Sequence, residues 1–99
     1  MKFMVNWSID QDQWLPIMKK WGAMTPKQRA DVGKGVKLIG RWHDLAGRQG
    51  VAIFEASDLA ALNRYIGQWN PFMELDMAPV LDDEESAAVA KSLVADHGA

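Results

Sequence analysis

Three side chains in the middle of the sequence carry the chemistry of proton transfer and anion binding. Arg41 and His43 stand two positions apart, and Glu55 ends the next apolar run. His43 can serve as a general acid or base, because an unperturbed imidazole titrates near neutral pH. Arg41 can hold an anionic group or an enolate, and Glu55 can orient the imidazole. We interpret these three as candidate catalytic residues. The alternative is a polar interface cluster in which Arg41 and Glu55 pair between strands or subunits.

Tryptophan is the second chemical signal, because this short sequence holds five: Trp7, Trp14, Trp21, Trp42 and Trp69. An indole is large and carries an N–H group, so it is rarely buried completely. With other aromatic residues, the indoles could line a flat pocket between a sheet and helices, suited to a planar or polycyclic ligand. The candidate ligand-binding residues are Asn6, Trp7, Trp42, Phe54, Tyr65 and Trp69. The alternative is a close-packed aromatic core.

A β-hairpin must position the candidate catalytic residues. Residues 36–43 and 51–56 alternate, and a turn segment with two glycines separates them, as is typical of a hairpin. Regular alternation divides the first strand into two faces. It places Val36, Leu38, Gly40 and Trp42 on one face, and Lys37, Ile39, Arg41 and His43 on the other. A glycine within a strand also indicates a β-bulge, and a bulge at Gly40 would turn His43 to the helix side, beside Trp7.

The remaining elements complete a known pattern. Strands are predicted over residues 2–9 and 73–81, the latter at a sheet edge because it contains Pro79. A helix is predicted over residues 10–24, with a short helical turn at 26–31. Another begins after Ser57-Asp58 and stops at Asn70-Pro71, and an alanine-rich helix covers 83–96. The order β-α-β-β-α-β with an extra C-terminal helix predicts an α+β, ferredoxin-like fold.

The two faces of the predicted sheet differ in character. The face that the helices cover is expected to hold the odd-numbered residues of the first strand, with Trp42 and Phe54. The other face would mix apolar and charged side chains: Met4, Asn6, Ile39, Arg41, His43, Ile53, Glu55 and Asp76. Such a mixture is too apolar for water and too charged for an ordinary core. It favours self-association, so we expect a homodimer that pairs as an α+β barrel.

Composition narrows the classes of function. The chain of 99 residues is expected to form one domain over residues 1–99, without cysteine and with a net charge of −2. This charge balance disfavours nucleic-acid binding, and no segment predicts a signal peptide or a membrane span, so we expect a cytoplasmic protein. Two distant histidines indicate no metal site, and the acids at 82–85 fit the first turn of a helix. No cofactor is expected.

Three stretches resemble a known family of short bacterial proteins. They are M-K-F-M-V-N-W-S-I, G-V-K-L-I-G-R-W-H and P-V-L-D-D-E-E, and the family is called domain of unknown function 3303. The stretch 25–34 is longer here than is usual there. The resemblance implies a fold similar to dimeric α+β barrels, such as antibiotic-biosynthesis-type monooxygenases, muconolactone isomerase-like proteins and polyketide cyclases. Members of that superfamily often keep a small-molecule pocket between sheet and helices, but the family itself implies no activity.

These observations predict a homodimer that binds a hydrophobic or aromatic small molecule. If the protein is an enzyme, we expect a cofactor-independent one that acts on such a compound and is similar to the monooxygenases, isomerases or cyclases. The competing hypothesis is a non-catalytic structural or regulatory dimer whose interior is filled. A weaker alternative is haem binding or degradation, because Asn6, His43 and a tryptophan are similar to the Asn-Trp-His set of haem-degrading barrels. No histidine lies on the second helix to support it. The cavity volume behind Trp7 and Trp42 distinguishes the first two hypotheses.

Overall fold

A four-stranded antiparallel sheet forms the centre of the structure, a computed structural model that describes residues 1–98. The strands are β1 (Lys2–Ser8), β2 (Val36–Asp44), β3 (Gln49–Ala56) and β4 (Glu74–Val80), in the sheet order β2-β3-β1-β4. The helices are α1 (Gln11–Ala23), α2 (Pro26–Ala30), α3 (Leu59–Ile66) and α4 (Asp83–Asp96). The predicted α+β, ferredoxin-like fold is confirmed. Strand β4 lies at an edge of the sheet, as Pro79 predicted.

The core lies on the face of the sheet that α1 and α3 cover. Phe3 and Val5 of β1 pack there with Phe54 of β3 and with Leu62 and Ile66 of α3. Phe54 is 2% exposed and Leu62 is fully buried. Full burial of such side chains stabilises the fold by roughly 1.5–3 kcal/mol each. This face therefore holds the sheet and α3 together.

A β-bulge in β2 reverses the expected facing of the strand's second half. Leu38 pairs with Phe54 and Gly40 pairs with Ile53, so Ile39 has no partner. Beyond that point Arg41 stands opposite the buried Ala52, and therefore faces the helices.

The predicted faces are thus wrong from Gly40 onward. Trp42 pairs with Val51 and projects from the open face of the sheet, the face without helices, where it is 61% exposed. Arg41 and His43 lie on the helix side instead. The reason is that one unpaired residue shifts the two-residue alternation of every side chain that follows it. The bulge that Gly40 indicated is confirmed.

Capping boxes fix the starts of two helices. Thr25 and Gln28 form a capping box at the start of α2, and Asp82 and Glu85 form another at the start of α4.

Helix α3 ends earlier than predicted, at Ile66 rather than just before Asn70-Pro71, so residues 67–73 form turns. No side chain of α4 is buried. Within residues 1–98, no helix has the length and apolar character needed to cross a membrane.

Two glycines of the hairpin make a matched pair for testing this packing. A Cβ at Gly50 would overlap the indole of Trp7, whereas one at Gly40 would overlap the indole of Trp42. Trp7 packs against the core and Trp42 is exposed. We expect Gly50→Ala to lower the free energy of unfolding by about 1–3 kcal/mol, because the Trp7 ring must move. Gly40→Ala should cost at most about 1 kcal/mol, because the Trp42 ring can turn into solvent. Urea denaturation measures both, and equal losses would contradict the assigned faces.

Candidate functional site

A cavity lies on the helix side of the sheet, between the sheet and helices α1 and α3. About 550 Å³ of it is free of protein atoms, including space open to solvent, and the centres of water molecules can occupy about 60 Å³. A single water needs about 10–15 Å³ by that measure, so the interior is not filled by side chains. Its lining is mostly apolar and consists of Val5, Trp7, Ile9, Ile17, Met18, Trp21, Arg41, His43, Ala52, Phe54, Tyr65, Ile66, Trp69, Met73 and Leu75.

His43 lies among the indoles of this cavity. The centre of its ring is 5.5 Å from that of Trp7, in an edge-to-face arrangement, and 5.1 Å from that of Trp21. Trp21 in turn meets Trp69 edge-to-face at 6.2 Å. Gly50 pairs with both Trp7 and His43 in the sheet, and its lack of a side chain leaves room for these two rings to meet. The β3 backbone therefore helps to place the imidazole.

The turns after α3 place Trp69 in the same wall. Its backbone N–H donates to the carbonyl of Ile66, the last residue of α3, at 3.0 Å. Gly67, the C-cap of that helix, keeps helical backbone angles, and its N–H donates to the carbonyl of Asn63 at 2.8 Å. The sequence predicted that the helix continues to Asn70 and includes Trp69, whereas in the structure Trp69 belongs to a turn.

Arg41 is fixed from two sides. Its Nη1 donates to the backbone carbonyl of Arg29 at 3.1 Å, and its Nη2 donates to the Tyr65 hydroxyl at 3.0 Å. The guanidinium carbon also lies 4.9 Å from the centre of the Trp21 ring, a cation–π distance. All three partners are uncharged groups. The ion pair found within residues 1–98 joins Lys2 and Asp82, outside the cavity.

The cavity favours the neutral form of His43. Burial lowers the pKa of its imidazole below the ordinary value of 6.5, and the positive charge of Arg41 lowers this pKa further. His43 as a whole is exposed, so the burial of its imidazole is partial and the ring remains accessible from solvent. A neutral imidazole offers one N–H donor and one nitrogen acceptor. It can therefore accept a proton from a molecule in the cavity.

The structure brings together some of the predicted site residues and separates others. Trp7, Phe54, Tyr65 and Trp69 line the cavity with Arg41 and His43. Asn6, Trp42 and Glu55 are exposed and do not line it.

Strand alternation explains the three that lie apart. Glu55 follows Phe54, which points to the helices, so Glu55 projects from the open face, in register with Lys2 and Lys37. The predicted group of Arg41, His43 and Glu55 is therefore not assembled. Asn6 also lies on the open face, opposite to His43, so the set of residues behind the haem alternative is not assembled either.

Trp21 is the aromatic cavity residue that the candidate ligand-binding set lacked, although the sequence placed it among the indoles that could line a pocket. It contacts His43, Arg41 and Trp69. Its place on the apolar stripe of α1 was visible in the sequence, but Trp14 shares that stripe and lies outside the main cavity. Helical spacing alone could not separate the two indoles.

The lowered pKa of His43 predicts how the stability of the fold depends on pH. The unfolded chain binds a proton at this histidine more readily than the folded chain does, so stability rises with pH through the titration of His43. We expect the free energy of unfolding to fall as the pH drops from above 6.5 to below it. Urea denaturation at pH 7.5 and 5.5 measures this difference. His43→Gln should reduce it, whereas His97→Gln, in the turn after α4, should leave it unchanged. An unaltered pH dependence in His43→Gln would contradict the assigned environment.

Comparison with known proteins gives one family and a distant structural likeness. No protein of curated function matches the sequence. A crystal structure from Deinococcus radiodurans, of a protein described as an antibiotic biosynthesis monooxygenase, is similar at 10% identity and a TM-score of 0.46. That alignment covers 83% of this chain and 94% of the other. The family model described as domain of unknown function (DUF3303) matches residues 1–94, and the chain therefore belongs to the DUF3303 family.

Proposed function

We propose that this protein binds a hydrophobic, aromatic small molecule in the cavity between its sheet and helices, and that it acts as a homodimer. The observation that carries the ligand proposal is an unfilled cavity with aromatic walls, on which Arg41, His43 and Tyr65 converge. Small-molecule sites typically combine a mostly apolar lining with a few placed polar groups. A filled structural core would leave no such space.

The dimer proposal depends on the open face of the sheet. Trp42 is 61% exposed there, Ile39 is 47% exposed at the bulge, and Val51 and Ile53 are partly exposed. Both signs of charge surround these apolar groups, including Lys37 and the acids of β3 and β4: Glu55, Glu74 and Asp76. In a two-fold dimer each patch meets a second copy of itself, so apolar groups can cover one another and opposite charges can pair. Contiguous apolar patches on monomers are usually small, which supports a partner for this face.

Two tryptophans on opposite faces test both parts of the proposal. We expect Trp21→Ala to weaken binding of 2-naphthamide, a neutral aromatic probe, by about tenfold, because it removes an aromatic wall. Trp42→Ala should leave this affinity within about twofold, because its indole lies across the sheet from the cavity. Isothermal titration calorimetry measures the affinity.

Light scattering on the same samples measures their mass and so tests whether the open face of the sheet forms the dimer interface. The wild-type protein and Trp21→Ala should have twice the mass of one chain at micromolar concentration, whereas Trp42→Ala should shift toward the single-chain mass. A monomeric wild-type protein would contradict the dimer proposal. Equal loss of probe affinity in both variants would contradict the assignment of the cavity as the binding site. A wild-type protein that binds neither 2-naphthamide nor its charged analogues 2-naphthoate and 2-naphthylmethylammonium would contradict the ligand proposal.

Proton transfer is a second candidate function, favoured by the position of a neutral His43 beside Arg41. The imidazole can take a proton from a carbon next to a carbonyl group, while the guanidinium stabilises the enolate oxygen.

In heavy water, return of a deuteron from solvent would label the ligand without net chemical change. We expect wild-type protein to accelerate deuterium incorporation into 2-tetralone, a neutral aromatic ketone, as measured by NMR. His43→Gln should lower this rate by at least about 100-fold, and an unchanged rate would remove His43 from such a mechanism.

A further inference from the structure

We infer that the natural ligand of the cavity is an aromatic anion, a planar ring bearing carboxylate-type oxygens that Arg41 and Tyr65 bind. This inference rests on the proposed ligand-binding function and narrows it to a chemical class. Four features of the site point to it: the unbalanced charge, the unused hydrogen-bond donors, the position of the Tyr65 hydroxyl and the aromatic walls.

Among residues 1–98, no aspartate or glutamate lines the cavity, so none of them provides a counter-ion there for Arg41. The groups that contact its guanidinium are a carbonyl, a hydroxyl and an indole. A partly buried cation loses hydration, and neutral partners replace only part of that loss. The face of Trp21 offsets some of the remainder. An anion in the cavity would make the site electrically neutral.

The hydrogen-bond donors of Arg41 are only partly used. A guanidinium carries five N–H groups in a rigid fork. The bonds to Arg29 and Tyr65 engage one proton of Nη1 and one of Nη2. The Nε–H and one proton on each terminal nitrogen are left. These donors can bind both oxygens of a carboxylate at once, whereas an amide or a hydroxyl group presents only one oxygen to them.

Tyr65 adds a donor at the same place. Its hydroxyl oxygen accepts from Arg41 at 3.0 Å, so its own proton is free to point elsewhere. The hydroxyl is held beside the guanidinium because the Tyr65 ring packs on Phe54, with ring centres 5.7 Å apart. Two adjacent donors without an acidic neighbour select a ligand rich in acceptor oxygens.

The walls of the cavity require the rest of this ligand to be apolar and flat. Trp7, Trp21 and Trp69 supply indole surfaces, and further apolar side chains from β1, α1, β3, α3 and β4 add to them. A small inorganic anion would leave these surfaces in contact with water. An aromatic ring carrying the anionic group covers them and places its charge against Arg41.

A matched series of probes tests the inference. The probes are 2-naphthoate, 2-naphthamide and 2-naphthylmethylammonium, which share one ring system and differ in charge. Calorimetry at pH 7.5 should show the wild-type protein binding 2-naphthoate at least about tenfold more tightly than 2-naphthamide, as expected for hydrogen bonds to a charged group. The ammonium probe should bind most weakly, because it meets a like charge.

Variants identify the residue responsible. Arg41→Gln should bring the affinities for 2-naphthoate and 2-naphthamide to within about threefold of each other by lowering only the first. Tyr65→Phe, which removes one donor and keeps the ring, should reduce the preference partly. Lys20→Gln is the control, because Lys20 is a nearby cation, 4.8 Å from the Trp69 ring centre, that does not line the cavity. It should leave the preference unchanged.

The outcomes separate this inference from the function on which it rests. If none of the three probes binds, both the ligand-binding proposal and the inference fail. If 2-naphthamide binds as tightly as 2-naphthoate, ligand binding stands and the anion inference is overturned. A full preference for 2-naphthoate in Arg41→Gln, or its loss in Lys20→Gln, would overturn the assignment to Arg41. If Arg41→Gln does not fold, the wild-type series and Tyr65→Phe decide the question.

Discussion

Strand β2 has one more residue than β3 between the pairs Leu38–Phe54 and Gly40–Ile53, and Ile39 is that residue. Side chains alternate along a strand, so a single unpaired residue exchanges the faces of all residues that follow. Here the exchange turns Arg41 and His43 toward the helices. It also turns Trp42, the largest side chain of the strand, toward the open face. Without the bulge, the indole would fill the space that the two polar groups now share.

Each polar group in the cavity depends on its neighbours. The guanidinium of Arg41 donates one hydrogen bond to the backbone carbonyl of Arg29 and one to the Tyr65 hydroxyl. Partial burial of the imidazole and, after it, the charge of Arg41 lower the pKa of His43, which favours the neutral form. The site therefore pairs a permanent cation with a neutral acceptor in an apolar surrounding. This combination suits a ligand that brings its own negative charge, or one on which negative charge develops.

Most of the fold could be predicted from local pattern. The alternation in the strands, the capping sequences at Thr25 and Asp82, and Pro79 at a sheet edge each carry a local physical cause that the sequence displays. The site could be predicted only in part, because the phase of β2 depends on how it pairs with β3. Gly40 indicated a bulge, but glycine permits a bulge without requiring one. The sequence also could not show that the aromatic side chains leave space between them, since cavity volume depends on how α1 and α3 lie on the sheet. Trp14 and Trp21 illustrate this, because they share one helical stripe and differ in whether they reach the cavity.

NMR spectroscopy of the hairpin tests the central claim most directly, because the bulge determines which aromatic rings surround His43. The ring centres of Trp7 and Trp21 lie 5.5 and 5.1 Å from that of His43. Nuclear Overhauser effects should therefore connect the imidazole protons of His43 with the indole protons of both residues. A regular strand without the bulge would instead place the Trp42 indole on the helix side. Contacts of the Trp42 ring protons with Trp7 or Trp21, and none from His43 to either, would contradict the account.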